Sequence, residues 1–116
     1  QVGCAMGCTF CATGTMGLFG NLTSAEILEQ MVHANHILAA EYQQRKDTSK
    51  KMNAVRNVVF MGMGEPLDNY NNVVTACRAM MENKRWNLAH GRITVSTVGL
   101  ISQIRKLTKE LPEVSL

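Results

Sequence analysis

Three stretches of the chain repeat apolar residues at the spacing of a helix. The first stretch follows a capping-box pattern at residues 23–26, and we expect its helix to end near Glu41. Its apolar stripe consists of Ile27, Met31, Ala34 and Leu38. The second stripe consists of Val73, Val74, Cys77, Met80 and Met81. The third consists of Leu100, Ile104, Leu107 and Leu111, and Pro112 ends it.

Short apolar runs between these stripes predict strands. Residues 57–61 form a continuous run of the kind covered on both faces in a parallel sheet. Residues 93–97 alternate with period two, which places Thr94 and Ser96 on one face. A further strand begins near residues 114–116, and the residues before Thr23 are expected to form a loop. The order loop-α-β-α-β-α-β predicts an α/β fold of parallel βα units, open or barrel-like.

Composition narrows the class of protein. The chain has 116 residues, of which 46% are apolar, so it is neither a disordered tail nor a fibrous repeat. No apolar run reaches the roughly 20 residues of a membrane helix. A complete eight-stranded α/β barrel needs about 250 residues. Because the chain has no initiator Met and ends as a strand begins, we expect residues 1–116 to be an internal fragment of a single domain.

Charge says less about partners. The difference between 12 Lys+Arg and 9 Asp+Glu gives +3, which is compatible with RNA binding but does not establish it. The basic side chains gather in and beside the polar segment 42–55, which resembles an insertion: Arg45, Lys46, Lys50, Lys51 and Arg56. A solvated surface connection is the favoured interpretation of this cluster, and a phosphate contact is the alternative.

The first residues carry the clearest chemistry. Cys4, Cys8 and Cys11 follow the spacing C-x3-C-x2-C. Three thiolates on one short loop can bind three irons of a [4Fe-4S] cluster and leave the fourth iron open to another ligand. Structural zinc is a weaker alternative because no second cysteine pair follows, and disulfides between such near neighbours are weaker still. Cys77 lies on a core-facing stripe, so we interpret it as a buried apolar residue.

This cysteine pattern, with Phe10 before its last member, resembles the signature of the radical S-adenosylmethionine (SAM) superfamily. Four further segments are similar to the RNA adenine C2-methyltransferases of that superfamily: residues 1–4, 11–14, 59–67 and 94–99. The resemblance covers nearly the whole chain apart from residues 42–55. It implies part of a radical SAM partial (β/α)6-type barrel, in which SAM chelates the open iron and an electron from the cluster yields a 5′-deoxyadenosyl radical.

The resemblance also implies roles for single residues. Cys4, Cys8 and Cys11 would bind the cluster, Gly64 and Glu65 the SAM amino group, and Ser96 its ribose or carboxylate. Phe10 would pack beside the adenine. A loop-capping carboxylate is the alternative for Glu65, and a hydroxyl satisfied by a neighbour is the alternative for Ser96. The two methyl-relay cysteines of the family would lie outside residues 1–116, so no catalytic residue is assigned and the fragment alone is expected to be inactive.

The implied activity is methylation of adenosine C2 in large-subunit ribosomal RNA and, for some bacterial members, transfer RNA. Flavodoxin or ferredoxin would donate the electron to a monomeric enzyme. Exposed thiolates require a reducing compartment, either the cytoplasm or an organelle stroma or matrix. Two alternatives stay open: a radical SAM enzyme acting elsewhere, for example on adenine C8, and a non-catalytic iron–sulfur or zinc module.

Three other patterns carry no functional prediction. Gly62-x-Gly64 lacks the third glycine of a dinucleotide fingerprint and continues into Glu65-Pro66, which suits a cationic group better than a pyrophosphate. Glu29, His33 and His36 share a helix face that is best interpreted as solvated rather than as a metal site. The glycosylation sequon at residues 21–23 is treated as chance because no secretory signal accompanies it.

Overall fold

Two small sheets and three helices make up the computed structural model, which describes residues 1–44 and 54–116. The strands are β1 (Val2–Cys4), β2 (Gly17–Gly20), β3 (Val58–Phe60) and β4 (Ile93–Val95). The helices are α1 (Ser24–Gln44), α2 (Tyr70–Met81) and α3 (Ile101–Glu110), and two short 3-10 helices span Ala12–Thr15 and Pro66–Asn69. Most of the basic stretch expected at residues 45–56 lies outside the described residues.

The second sheet confirms the predicted parallel βα units. β3 pairs with β4 in parallel, with Val58 opposite Ile93 and Phe60 opposite Val95. Thr94 also forms a parallel bridge with Ser115, so a further strand does begin near the end of the chain as predicted. A helix lies in each connection between parallel strands, because parallel pairing needs a long crossover connection. β4 therefore lies between β3 and the last residues.

The first sheet corrects the prediction of an amino-terminal loop. β1 and β2 form an antiparallel pair with a bulge between Val2 and Gly3. The usual alternation of apolar and polar residues is hidden because four of the seven strand residues are glycine or cysteine, which carry no strand signal. The pair matters for the site because Cys4 is the last residue of β1.

The capping box begins α1 as predicted. The Thr23 amide donates to Glu26 Oε2 at 2.8 Å, and the Glu26 amide donates to Thr23 Oγ1 at 3.3 Å. These reciprocal bonds satisfy two amides that a helix start otherwise leaves unpaired. The amide and the hydroxyl of Thr23 both donate to the Glu26 carboxylate, and these two bonds lower the pKa of Glu26. The helix continues three residues beyond the predicted end, to Gln44.

The core lies where the three predicted stripes meet the parallel sheet. Its buried members from the stripes are Met31, Val73, Val74, Cys77, Met80, Leu107 and Leu111, and Ile93 and Val95 cover them from β4. The opposite face of the sheet is less covered than predicted, because the side chain of Val59 in β3 is exposed. A cleft of about 550 Å³ runs between α1 and β3. No helix in residues 1–44 or 54–116 has the length and hydropathy needed to cross a membrane.

Candidate functional site

The three cysteines of the predicted cluster lie on one loop, residues 4–11, which we call the cysteine loop. It connects β1 to the 3-10 helix Ala12–Thr15. Cys4 is buried, Cys8 and Cys11 are half-buried, and all three are free thiols. The Cys11 amide donates to the Cys8 carbonyl at 3.2 Å, and the Met6 amide donates to Cys4 Sγ at 3.4 Å. The loop therefore turns back on itself, and it leaves Cys8 and Cys11 partly accessible while Cys4 is buried.

A glycine allows this loop to fold tightly. A Cβ atom on Gly14 would lie 2.5 Å from the Cys8 carbonyl oxygen and 2.9 Å from the Cys8 nitrogen. Both contacts are with backbone, which cannot rotate away as a side chain can. Only glycine therefore fits where the short helix packs against the middle cysteine.

The chain places its thiols in contrasting environments. The backbone amides of Thr13 and Gly14 lower the pKa of the Cys11 thiol, which favours the thiolate that binds metals. Burial raises the pKa of Cys77 to about 12, so that thiol stays protonated at any physiological pH. Cys77 is fully buried at 0% exposure, which confirms its interpretation as a core residue.

The donor set on the cysteine loop suits an iron–sulfur cluster in its chemistry. Thiolates are the ligands that such clusters take, and Cys4, Cys8 and Cys11 supply three of them. Among residues 1–44 and 54–116, no three His, Cys, Asp or Glu side chains are gathered into a ready metal site. The structure thus places the thiols on one loop, and their assignment as cluster ligands stays a prediction.

The two segments predicted to contact SAM meet at one edge of the parallel sheet. We call residues 62–67 the Glu65 loop, which follows β3, and residues 96–99 the Ser96 segment, which follows β4. The Ser96 amide donates to the Phe60 carbonyl at 3.1 Å, which continues the strand pairing up to both segments. The carboxyl ends of parallel strands are where α/β folds build their sites. The register therefore brings together residues that are about 30 positions apart in sequence.

Glu65 joins these two segments through its side chain. Its carboxylate is 1% exposed. Oε1 accepts a hydrogen bond from the Leu67 amide at 2.8 Å, and Oε2 accepts one from the Val98 amide at 2.7 Å. A buried carboxylate is tolerated because it is hydrogen-bonded in this way. Each oxygen has a second lone pair for a further donor, so these bonds do not preclude the predicted contact with SAM.

Gln1 brings the cysteine-bearing strand to the same place. Its Oε1 accepts from the Glu65 amide at 2.7 Å. Its Nε2 donates to Asn21 Oδ1 at 2.6 Å and to Asp68 Oδ2 at 3.0 Å. Gln1 and Gly64 also line the cleft between α1 and β3. Gln1 and Glu65 thus connect β1, at one end of this network, with the Ser96 segment at the other end.

The predicted SAM residues differ in how the structure holds them. Gly64 and Glu65 lie in the network just described, and Ser96 is exposed beside it. Phe10 projects from the cysteine loop with 92% of its surface exposed. Their contacts with SAM remain predictions.

Sequence reasoning missed Gln1, Asn21 and Asp68. Gln1 lies in a segment that resembles the family, but its contacts could not be predicted because its three partners lie between 20 and 67 residues away. The structural role of Asn69, which immediately precedes α2, was not predicted either. Asn69 is buried and donates to the Leu22 carbonyl at 2.7 Å, which ties the start of α2 to the start of α1.

Comparison with known proteins identifies the family. The profile of the radical SAM superfamily matches residues 1–115. The chain belongs to the radical SAM superfamily. The residues matched include the cysteine loop, the Glu65 loop and the Ser96 segment, so this radical SAM domain contains all three parts of the site described above.

Curated radical SAM relatives are similar over the whole chain. The probable dual-specificity RNA methyltransferase RlmN of Moorella thermoacetica is 45% identical over 116 residues, which are 100% of this chain and 30% of the relative. The dual-specificity RNA methyltransferase RlmN of Pelobacter propionicus is 47% identical over 116 residues, which are 100% of this chain and 29% of the relative. The chain therefore spans about a third of the length of these relatives.

A solved radical SAM structure supports the fold. The radical SAM methyltransferase from Sphaerobacter thermophilus superposes with a TM-score of 0.80 at 43% sequence identity. The match covers 96% of this chain and 30% of that one. The parallel βα units of this chain are therefore part of a radical SAM fold, as the sequence predicted.

The histidine face of α1 is exposed to solvent. Glu29 and His33 form an exposed pair, with 3.7 Å between Glu29 Oε1 and His33 Nε2, and His36 is exposed as well. The helix face is solvated, as predicted.

Proposed function

We propose that the protein containing this chain is a radical SAM RNA methyltransferase that acts on C2 of an adenosine in large-subunit ribosomal RNA, with transfer RNA as a second substrate. The relatives that are 45–47% identical are named dual-specificity RNA methyltransferases. One structural observation carries the proposal. Gln1, which precedes the strand that ends in Cys4, accepts from the Glu65 amide at 2.7 Å, and the Glu65 carboxylate accepts from the Val98 amide at 2.7 Å.

In this proposal Cys4, Cys8 and Cys11 bind a [4Fe-4S] cluster and leave one iron for SAM. When bound, the cluster supplies the electron that cleaves the SAM sulfonium. The residues of this chain hold the cluster and orient SAM. The amides near Cys11 favour its thiolate, Gly64 and Glu65 bind the SAM amino group, Ser96 contacts the ribose or carboxylate, and Phe10 packs beside the adenine.

The chemistry of Glu65 fits that role. A desolvated carboxylate attracts an ammonium group strongly. The hydrogen bonds from the Leu67 and Val98 amides fix the carboxylate before SAM arrives. Such preorganisation reduces the entropy lost on binding. The relay cysteines that the family resemblance implies lie outside residues 1–116, so this chain would supply the radical-forming part of the enzyme. Flavodoxin or ferredoxin would supply the electron.

The test uses the longer protein that contains this chain, reconstituted anaerobically with iron and sulfide. We expect the electron paramagnetic resonance spectrum of the reduced cluster to change when SAM is added. Unmodified ribosomal RNA incubated with this protein and SAM should then yield 2-methyladenosine on nucleoside mass spectrometry. A product methylated at C8 would assign the chain to another radical SAM reaction. Zinc without iron, together with indifference to SAM, would indicate a structural metal module.

A matched pair of cysteine variants tests the ligands. Cys8→Ala should abolish cluster assembly, whereas Cys77→Ala should retain full iron content and lose about 1 kcal/mol of stability through packing. Both variants remove one thiol, so the comparison separates ligation from simple thiol loss. Equal loss of iron in the two variants would contradict the assignment of Cys4, Cys8 and Cys11 as the ligands.

A further inference from the structure

We infer that Gln1 is a positioning residue, which holds the Glu65 loop at a fixed place relative to the strand that carries Cys4 and thereby aligns SAM with the cluster. This inference rests on the proposed function, because it assigns to Gln1 a part in the same site. Gln1 immediately precedes β1, and Cys4, the last residue of β1, follows it by three positions. A link from Gln1 to the Glu65 loop is therefore a link between the first cluster ligand and the predicted SAM contacts.

The bonding of the Gln1 amide is fully determined by its partners. The Glu65 N–H can only donate, so the atom 2.7 Å from it is the side-chain oxygen. The ionised Asp68 carboxylate can only accept, so the atom 3.0 Å from it is the side-chain nitrogen. Asn21 Oδ1 accepts the second hydrogen of that nitrogen at 2.6 Å. Gln1 uses its oxygen and both of its donors at once, and this fixes its orientation.

The main chain of the Glu65 loop is shaped to receive Gln1. Gly64 has a φ of +84°, which side-chain-bearing residues rarely adopt. A Cβ atom there would lie 2.5 Å from Gln1 Oε1 and 2.6 Å from Gln1 Cβ. Glycine at position 64 therefore provides the space that the Gln1 side chain occupies. The packing and the hydrogen bond to Glu65 act on two consecutive residues of the predicted SAM site.

The link continues past Glu65. The Glu65 side-chain carboxylate accepts a hydrogen bond from the Val98 amide at 2.7 Å, and Val98 lies two residues after Ser96. One glutamine thus fixes Gly64 and Glu65 directly and the Ser96 segment through Glu65. A glutamine that only stabilised the β1–β2 hairpin would need no bond to the Glu65 main chain.

The first experiment compares Gln1→Met with the unsubstituted protein in the longer chain. Methionine matches the length of glutamine but makes none of its three hydrogen bonds. We expect full iron content and SAM binding weakened about tenfold, equivalent to about 1.4 kcal/mol, in equilibrium dialysis of the reconstituted protein. Gln43→Met, an exposed glutamine near the end of α1, is the matched control and should bind SAM normally.

A rescue experiment separates positioning from loss of folding. Gln1→Glu keeps an oxygen for the Glu65 amide but places a second carboxylate oxygen opposite Asp68, so SAM binding should weaken. Asp68→Asn in the same protein gives the introduced carboxylate a donor, and SAM affinity should recover to within about threefold of the unsubstituted value, that is to within about 0.7 kcal/mol. Asp68→Asn alone should have little effect, because an amide can still present its oxygen to Gln1.

The outcomes are distinguishable from failure of the proposed function. If the unsubstituted protein assembles no cluster or ignores SAM, the proposed function fails. If it binds SAM and Gln1→Met binds equally well, the inference about Gln1 is wrong. Loss of iron in Gln1→Met, or no recovery in the Gln1→Glu, Asp68→Asn double variant, would also overturn it, since Gln1 would then support the hairpin rather than the SAM site.

Discussion

Cys11 and Cys77 carry the same thiol in opposite surroundings. Amides at the start of a 3-10 helix lower the pKa of Cys11, and burial in the core raises that of Cys77 to about 12. The first environment favours a reactive thiolate and the second suppresses it. Position in the fold, rather than residue type, therefore separates a candidate ligand from a packing residue.

The buried thiol makes stability depend on pH in the alkaline range. The pKa of Cys77 is about 12 in the folded chain and 9.0 when solvated. Below pH 9 the thiol is protonated in both states. Above pH 9 it loses its proton in the unfolded chain first, which favours unfolding. The free energy of unfolding should therefore fall as the pH rises from 9 towards 12. Denaturant titrations at several pH values would measure this dependence. The slope should be shallower in Cys77→Ala, and identical slopes would show that Cys77 does not titrate on unfolding.

Glu65→Gln should destabilise the fold although the side chain keeps its shape. The carboxylate accepts from two amides, and a glutamine NH₂ group would face one of them as a second donor. Loss of one buried hydrogen bond should reduce the free energy of unfolding by about 1–3 kcal/mol, measurable by urea titration. Glu29→Gln, on the exposed face of α1, serves as the control and should change it little. Equal effects would refute the structural role of Glu65.

The cysteine loop could be predicted from sequence and the Gln1 network could not. Three cysteines within eight residues are recognisable in the sequence as one candidate ligand set, because their spacing is local. The partners of Gln1 are brought near only by the complete fold. The buried state of the Glu65 carboxylate was likewise invisible, since it depends on the Val98 amide 33 positions later.

At the scale of elements, helices were predictable because their signals are local. The capping box and the three stripes each lie within one segment, and the structure confirms the capping box and the three helices. Of the first stripe, only Met31 is buried. The β1–β2 pair was missed because three glycines and one cysteine among its seven residues hide any periodicity. The open face of β3 was missed because a continuous apolar run does not show which side lacks a covering layer.

Two substitutions on α3 test the assignment of its buried face. Leu107 is 1% exposed and Ile101 is 67% exposed. Leu107→Ala should cost about 2–5 kcal/mol of stability through a cavity in the core. Ile101→Ala should stay within about 0.5 kcal/mol of the unsubstituted protein. Thermal or denaturant unfolding would check both values, and a larger effect for Ile101 would mean that α3 packs on its other face.

At the scale of the whole molecule, the two sheets differ in their protection from solvent. β4 has pairing on both sides and buried side chains, whereas β2 carries the exposed residues Leu18 and Phe19. Local opening costs less where few apolar contacts must break. The molecule therefore combines a well-packed parallel sheet with an antiparallel pair whose second strand is exposed, although Cys4 at the end of β1 is buried.

Hydrogen exchange should reveal this difference. Hydrogen-bonded amides of β4 should exchange at least about tenfold more slowly than those of β2, a difference of about 1.4 kcal/mol in opening free energy. Mass spectrometry or nuclear magnetic resonance of the cluster-free protein would measure it. Equal protection would mean that the hairpin opens only when the whole fold does.

The hydrogen bonds of Glu65 also set when the site can form during folding. Its bonds to Gln1 and Val98 span 64 and 33 residues, whereas the capping box closes within three. Contacts between distant residues form later because a long loop must first be closed. We therefore expect the candidate site to be among the last parts to assemble, after the helices, whose contacts are local.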